Sequence, residues 1–100
     1  MAKGYWVAQV DVTDSEPYTA YVAANGAAFG KFVARFLVRA GQHQAVEGRC
    51  RSRLIVIEFP DYATALACYH SPEYQTAMKL RLPCAIAGVV VVEGYDGPQP

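Results

Sequence analysis

Cysteine and histidine are scarce in this chain of 100 residues, which holds three cysteines and two histidines. Cys50, Cys68 and Cys84 are odd in number, and no pair has the Cys-x-x-Cys spacing typical of zinc and redox sites. No second histidine or cysteine stands at metal-ligand spacing from His70 or His43. We therefore expect free thiols in a reducing compartment, with no disulfide framework, no metal site and no cofactor.

An excess of charge of either sign is also lacking, because nine Lys and Arg residues balance nine Asp and Glu residues. Binding to nucleic acid depends on a concentrated basic face. The densest basic stretch here is the alternating arginines 49, 51 and 53, which follow Glu47. We interpret it as a solvated arm rather than a phosphate site. The balance predicts no nucleic-acid partner and removes one barrier to self-association.

Long apolar runs are missing as well. The apolar run Cys84–Val92 has nine residues, whereas a membrane helix needs about 20. Near the N-terminus, Gln9 and Asp11 interrupt the first apolar stretch before it could act as a secretory leader. We expect a cytoplasmic protein without a membrane partner.

What the sequence does have is a high apolar content, 53% hydrophobic against 18% charged residues. This composition excludes intrinsic disorder. A chain of this length has room for one core, so we predict a single domain over residues 1–100. The apolar content is high for a domain whose surface is large relative to its volume, which favours a partner subunit.

Hydrophobic periodicity predicts the order β-α-β-β-α-β. Strands are predicted at Tyr5–Val12, Arg35–Ala40, Leu54–Phe59 and Gly88–Glu93. A first helix begins at the cap Asp14 and carries an apolar stripe that runs to Val33. A second helical region begins at the cap Asp61 and restarts at Ser71-Pro72-Glu73, where Pro fits the first helical position. Its later stripe is predicted as Tyr74, Ala77, Met78 and Leu82, and residues 41–53 are predicted as a polar hairpin arm that turns near Glu47-Gly48.

This order predicts the ferredoxin-like fold of the α+β class, a four-stranded antiparallel sheet with its helices on one face. Strands three and four nevertheless carry apolar side chains on both faces, and either Tyr5 or Trp6 must lie on the face without helices. Leaving about six apolar side chains exposed to water, at roughly 1.5–3 kcal/mol each, would lose as much free energy as the net stability of a whole domain. We therefore predict a homodimer in which two sheets pack face to face, a dimeric α/β barrel.

Segments along nearly the whole chain resemble the DUF1330 family, a domain of unknown function within the dimeric α/β-barrel superfamily. They occur in the family's order and are Lys3-Gly4-Tyr5-Trp6, Asp11-Val12-Thr13-Asp14, Tyr21-Val22-Ala23-Ala24-Asn25, Arg35-Phe36-Leu37-Val38-Arg39, Val56-Ile57-Glu58-Phe59-Pro60, Tyr69-His70-Ser71-Pro72-Glu73-Tyr74 and Val92-Glu93-Gly94-Tyr95-Asp96. The resemblance implies a ferredoxin-like protomer and a sheet-to-sheet dimer, but no activity.

Two positions depart from the family's pattern. Val33-Ala34 stands where the family usually has a glycine pair before the Arg-Phe strand, so the end of the helix is expected to differ. Val89 follows Gly88 where an acid is common, which removes any role for that acid. Proteins that share the superfamily fold include cofactor-free monooxygenases, haem proteins and isomerases, and fold alone selects none of them.

Polar and aromatic residues within apolar elements are the candidate site residues. Trp6, Tyr21 and Asn25 are candidates for the wall of a pocket between helices and sheet. Arg35 is predicted opposite Glu58, either as a structural ion pair or, with Arg39, as a carboxylate clamp. His70 and Asn25 are the candidates for catalysis. Ordinary core packing and helix-end placement explain the same residues, so three functions stay open: a binder of a small apolar or aromatic acid, a cofactor-independent enzyme such as a monooxygenase or isomerase, and a structural or interaction module.

Overall fold

The computed structural model describes residues 1–100 and contains four strands and three helices. In chain order they are β1 (Gly4–Val12), α1 (Ser15–Lys31), β2 (Arg35–Arg39), β3 (Arg53–Phe59), α2 (Tyr62–His70), α3 (Pro72–Arg81) and β4 (Ala85–Glu93). The α+β class and the ferredoxin-like order are confirmed, with the second helical region divided into α2 and α3.

The four strands form one antiparallel sheet in the order β2-β3-β1-β4. In the central strand β1, alternate side chains point to opposite faces. Trp6, Ala8 and Val10 are buried on the helix face, whereas Tyr5 lies on the other face with Val7. The Trp6 indole nitrogen donates a hydrogen bond of 2.8 Å to the Ala65 carbonyl of α2, which fixes the helices over the sheet.

The opposite face of the sheet, which we call the open face, is covered by no element of the chain. Its apolar side chains are substantially exposed, with Val90 at 60%, Ile86 at 53% and Val92 at 42%. The residues of β1 and β3 on this face include Val7 and Val56, which are register partners. The molecule is accordingly a flat slab, 16 Å across its shortest axis. No helix has both the length and the apolar character needed to cross a bilayer.

Of the three residues predicted to cap a helix start, two do so with their side chains. The Asp61 carboxylate accepts a hydrogen bond from the Thr64 amide at 2.7 Å, and the Ser71 hydroxyl accepts one from the Tyr74 amide at 3.1 Å. Asp14 is the N-cap residue of α1, but its side chain caps no amide. Leu82 is 59% exposed, so its predicted place in the apolar stripe of α3 is wrong.

The segment between β2 and β3 is an irregular loop rather than the predicted hairpin arm. The Asp11 carboxylate of β1 accepts hydrogen bonds from the Ser52 amide at 2.8 Å and from the Arg51 guanidinium at 2.9 Å. These bonds to a side chain supply hydrogen-bond partners at the end of the loop. In a regular hairpin, backbone pairing between two strands would have supplied them. β4 begins three residues earlier than predicted, because Ala85 pairs with Val12 at the end of the long central strand.

Candidate functional site

A cavity of about 60 Å³ lies between the helix face of the sheet and the helices α1 and α3. Its aromatic walls are Trp6, Tyr18, Tyr21, Phe29, Phe36 and Tyr74. Trp6 anchors this wall, because its ring meets Phe29 and Tyr74 edge-on at centroid distances of 5.3 and 4.8 Å. These edge-to-face contacts stabilise the packing of the rings along the wall.

Two tyrosine hydroxyls bridge the helices inside this wall. The Tyr21 hydroxyl of α1 and the Tyr74 hydroxyl of α3 are joined by a hydrogen bond of 2.8 Å. Burial and the neighbouring Tyr21 raise the pKa of Tyr74, and burial raises the pKa of Tyr18. Both phenols are therefore protonated at neutral pH and available as hydrogen-bond donors.

The most unusual residue of the cavity is Arg81, at the C-terminal end of α3. Only 6% of its surface is exposed, and none of the ion pairs in the chain involves it. Its guanidinium lies 5.7 Å from the centre of the Tyr21 ring. Burial lowers the pKa of Arg81, but the adjacent Tyr74 and Tyr21 hydroxyls raise it overall, so the group stays charged. A buried cation thus borders the cavity without a carboxylate of the chain to neutralise it.

Two further arginines extend this positive charge toward the sheet. The Arg53 guanidinium lies 5.4 Å from the centre of the Tyr18 ring, and its buried Nε has no hydrogen-bond partner. Arg39 is more exposed and stacks over Phe36 at 4.3 Å. No Asp or Glu lines the cavity. A protein with no net charge has therefore concentrated three arginines in one pocket.

Asn25 supplies a neutral polar group to the same pocket. Its side chain is 7% exposed, lines the cavity and takes part in none of the side-chain hydrogen bonds of the chain. An amide can both donate and accept, so Asn25 is able to orient either oxygen of a bound acid. The lining contains no Asp, Glu, His, Lys or Cys, and the chain thus offers no general base there.

The structure brings together four of the residues singled out in the sequence: Trp6, Tyr21, Asn25 and Arg39 all line the cavity. Their roles as ligand-binding residues stay predictions.

Arg35 and Glu58 lie outside the cavity. They are register partners on the open face, but they form no ion pair. The Glu58 carboxylate instead accepts a hydrogen bond from the Tyr5 hydroxyl at 3.0 Å, since Tyr5 is its partner on the other side. The predicted ion pair is therefore wrong, because β3 has neighbours on both sides and Glu58 bonds to β1.

His70 is exposed at the end of α2 and does not line the cavity. Its catalytic role stays a prediction, at a surface position beside the edge of the Tyr69 ring. Cys68, two residues earlier, is buried, and its pKa is raised to about 12 by burial and by Glu73. Its thiol is therefore no nucleophile at neutral pH.

Sequence reasoning missed Arg81, Arg53, Tyr18 and Tyr74 as site residues. A signal for Arg81 was present, because it stands seven residues after Tyr74 and four after Ala77, on the buried stripe of α3. Arg53 likewise alternates with Ile55 and Ile57 on the helix face of β3. A charged residue in phase with an apolar stripe was the cue that it would be buried.

Comparison with solved structures places this architecture among known folds. RPA0582, a protein of unknown function from Rhodopseudomonas palustris, has a TM-score of 0.74 at 15% sequence identity, covering 96% of this chain and 85% of its own. Methylated RPA0582 has a TM-score of 0.76 at 14% identity, covering 98% and 84%. SnoaB, a cofactor-independent oxygenase from Streptomyces nogalater, has a TM-score of 0.63 at 10% identity, covering 100% and 97%. At these identities the likeness shows the fold alone.

Sequence comparison is specific at the level of the family. No curated protein matches the chain in sequence. The family model described as Domain of unknown function (DUF1330) matches residues 3–95, nearly the whole chain. The resemblance seen in the sequence segments is thereby confirmed, and the chain belongs to the DUF1330 family.

Proposed function

We propose that this protein binds a small apolar or aromatic acid in the cavity between its helices and sheet. The observation that carries the proposal is Arg81, a buried guanidinium that has no carboxylate partner within the chain. Burying an unpaired charge is costly. A ligand carboxylate that accepts two hydrogen bonds from the planar guanidinium would offset that cost.

The cavity walls set the rest of the ligand's chemistry. Trp6, Phe29 and the other aromatic rings favour an apolar or planar body, while Asn25 and the Tyr21 and Tyr74 hydroxyls offer hydrogen bonds near Arg81. A water needs about 10–15 Å³ of such space. The enclosed part thus holds a head group of a few heavy atoms, and a larger ligand extends through the mouth.

Titration calorimetry with benzoate and with butyrate tests the proposal. We expect wild-type protein to bind at least one of them and the Arg81→Gln variant to bind it about tenfold or more weakly, a loss of about 1.4 kcal/mol. Arg35→Gln is the matched control, because it also removes one arginine but lies outside the cavity. Absence of binding to the wild type at millimolar acid, or equal affinities in the folded Arg81→Gln variant, would overturn the proposal.

We further propose that the protein is a homodimer whose open faces pack against each other. The exposed Val90, Ile86 and Val92 support this, together with the polar groups that are already paired at the ends of the face, Tyr5 with Glu58 and Arg51 with Asp11. An exposed apolar surface whose flanking polar side chains are hydrogen-bonded within the chain suits a second copy of the same surface. Three cysteines without disulfide bonds support a reducing location such as the cytoplasm.

A second candidate function is cofactor-independent oxygenation of a small aromatic substrate. The observation that favours it is the fold shared with SnoaB over the full length of this chain. Because the cavity contains no general base, its substrate would have to enter already ionised, held by the arginines. Oxygen consumption with a panel of hydroquinones tests this candidate. No uptake above the buffer rate would remove it. Uptake that is unchanged in Asn25→Ala and His70→Ala would remove these two residues as catalytic candidates.

A further inference from the structure

We propose that the ligand of the cavity carries two carboxylates, one held by Arg81 and the second by Arg53 at the mouth. This inference rests on the proposed function and specifies the ligand class of the same site. The lining of the cavity contains three arginines and no Asp or Glu. A single carboxylate would neutralise only one of them.

The two guanidiniums lie in different surroundings. Arg81 is buried at the end of α3, beside the Tyr21 and Tyr74 hydroxyls. Arg53 lines the cavity and also a surface groove outside it, which Ser15 and Thr19 of α1 border. Arg53 therefore stands where the enclosed space meets solvent, and Arg81 stands inside. A ligand anchored at Arg81 reaches Arg53 as it leaves the cavity.

The Arg53 guanidinium has a hydrogen-bond donor that is free to bind an anion. Its Nε is buried and bonds to no atom of the chain, and no ion pair involves its guanidinium. The ring of Tyr18 holds the guanidinium in place through a cation–π contact at 5.4 Å. A buried N–H donor without a partner is costly, and a carboxylate at the mouth would satisfy it. Arg39, stacked on Phe36 and exposed to solvent, is screened and adds less.

Calorimetry with matched pairs of acids tests this inference. The probes are succinate, glutarate and adipate, each compared with the monocarboxylate of the same chain length, namely butyrate, valerate and hexanoate. In the wild type we expect the best dicarboxylate to bind about tenfold tighter than its matched monocarboxylate, as a second charge-assisted contact would give. In Arg53→Gln we expect this advantage to fall below about twofold while the monocarboxylate affinity is kept.

Controls separate this inference from the function on which it rests. Arg49→Gln removes a charge from the exposed loop and should keep the dicarboxylate preference. If Arg53→Gln does not fold, Arg53→Lys, which keeps the charge but lacks Nε, should reduce the preference. Equal affinities for both members of every pair in the wild type would overturn the inference and leave acid binding intact. Binding of no acid at all would overturn both.

Discussion

A valine occupies the residue position after α1 that glycine normally fills. Val33 has φ +60°, in the left-handed region, where a β-branched side chain is strained. The surrounding bonds form a Schellman motif, in which the Ala34 amide donates to the Phe29 carbonyl at 2.9 Å and the Val33 amide to the Gly30 carbonyl at 3.4 Å. The turn thus has a geometry that favours glycine although this chain has Val33-Ala34. The Val33 side chain is 69% exposed, with little packing to offset the strain.

Replacing this valine should stabilise the protein. We expect Val33→Gly to raise the free energy of unfolding by about 1 kcal/mol, because the relieved strain exceeds the added entropy of glycine in the unfolded chain. Urea denaturation followed by circular dichroism measures the change. Val46→Gly, at an exposed loop position without a positive φ, should give no stabilisation. A Val33→Gly variant that unfolds at lower urea than the wild type would contradict the strain argument.

Among the elements, the junction of α2 and α3 positions the cavity most directly. The buried Ser71 hydroxyl donates to the Cys68 carbonyl at 2.7 Å and accepts from the Tyr74 amide at 3.1 Å. It thereby ends one helix and begins the next in a single residue. The new direction of α3 places Tyr74, Ala77 and Arg81 against α1 and the sheet. The ion pair between Lys31 and Glu73, at 3.0 Å, joins α1 to the start of α3 on the surface.

Removing the hydroxyl at this junction should therefore cost stability. We expect Ser71→Ala to lower the free energy of unfolding by about 1–2 kcal/mol, through loss of the cap and an unsatisfied buried amide. Thermal and urea unfolding measure the loss. Thr76→Ala, on the exposed surface of the same helix, should change stability much less. Equal losses of unfolding free energy in the two variants would contradict a capping role for the Ser71 hydroxyl.

At the scale of the whole molecule, the main feature is that the helices cover only one of the two faces of the sheet. All three helices lie on one face, and on the open face Val90, in the middle of the edge strand β4, is 60% exposed. Apolar patches of this kind normally mark interfaces in soluble proteins. The homodimer that we propose would bury the open face and leave the arginine-lined cavity on the outer side of each sheet, so that each protomer keeps its own site.

A charge placed on the open face should separate the protomers. We expect Val90→Asp to convert a dimer into a monomer at micromolar concentration, because it would bury an unpaired carboxylate in the interface. Light scattering coupled to size exclusion measures the mass. Leu82→Asp, at an exposed apolar residue beyond the end of α3, should leave the mass unchanged. A wild-type protein that is already monomeric under these conditions would refute the proposed dimer.

Much of the fold was readable from local patterns, and the candidate site only in part. The strands, the helix break at Ser71 and the cap at Asp61 were predicted because they depend on nearest neighbours in the chain. The partner of Glu58 could not be predicted that way. It depends on which of two adjacent strands offers a closer donor, and Tyr5 of β1 provides it instead of Arg35 of β2.

The sequence by itself determined the order of the elements, the class of fold and the excess of apolar surface, since each follows from periodicity and composition. The family was recognised from the resemblance of segments along the chain, which the family model over residues 3–95 confirms. Only the tertiary structure decided that Arg81, Arg53 and Arg39 share one cavity without an acid, while Arg35 and His70 lie outside it. Residues 39, 53 and 81 come from two strands and a helix that are far apart in the chain. Their meeting depends on how α3 crosses the sheet, which no local pattern encodes.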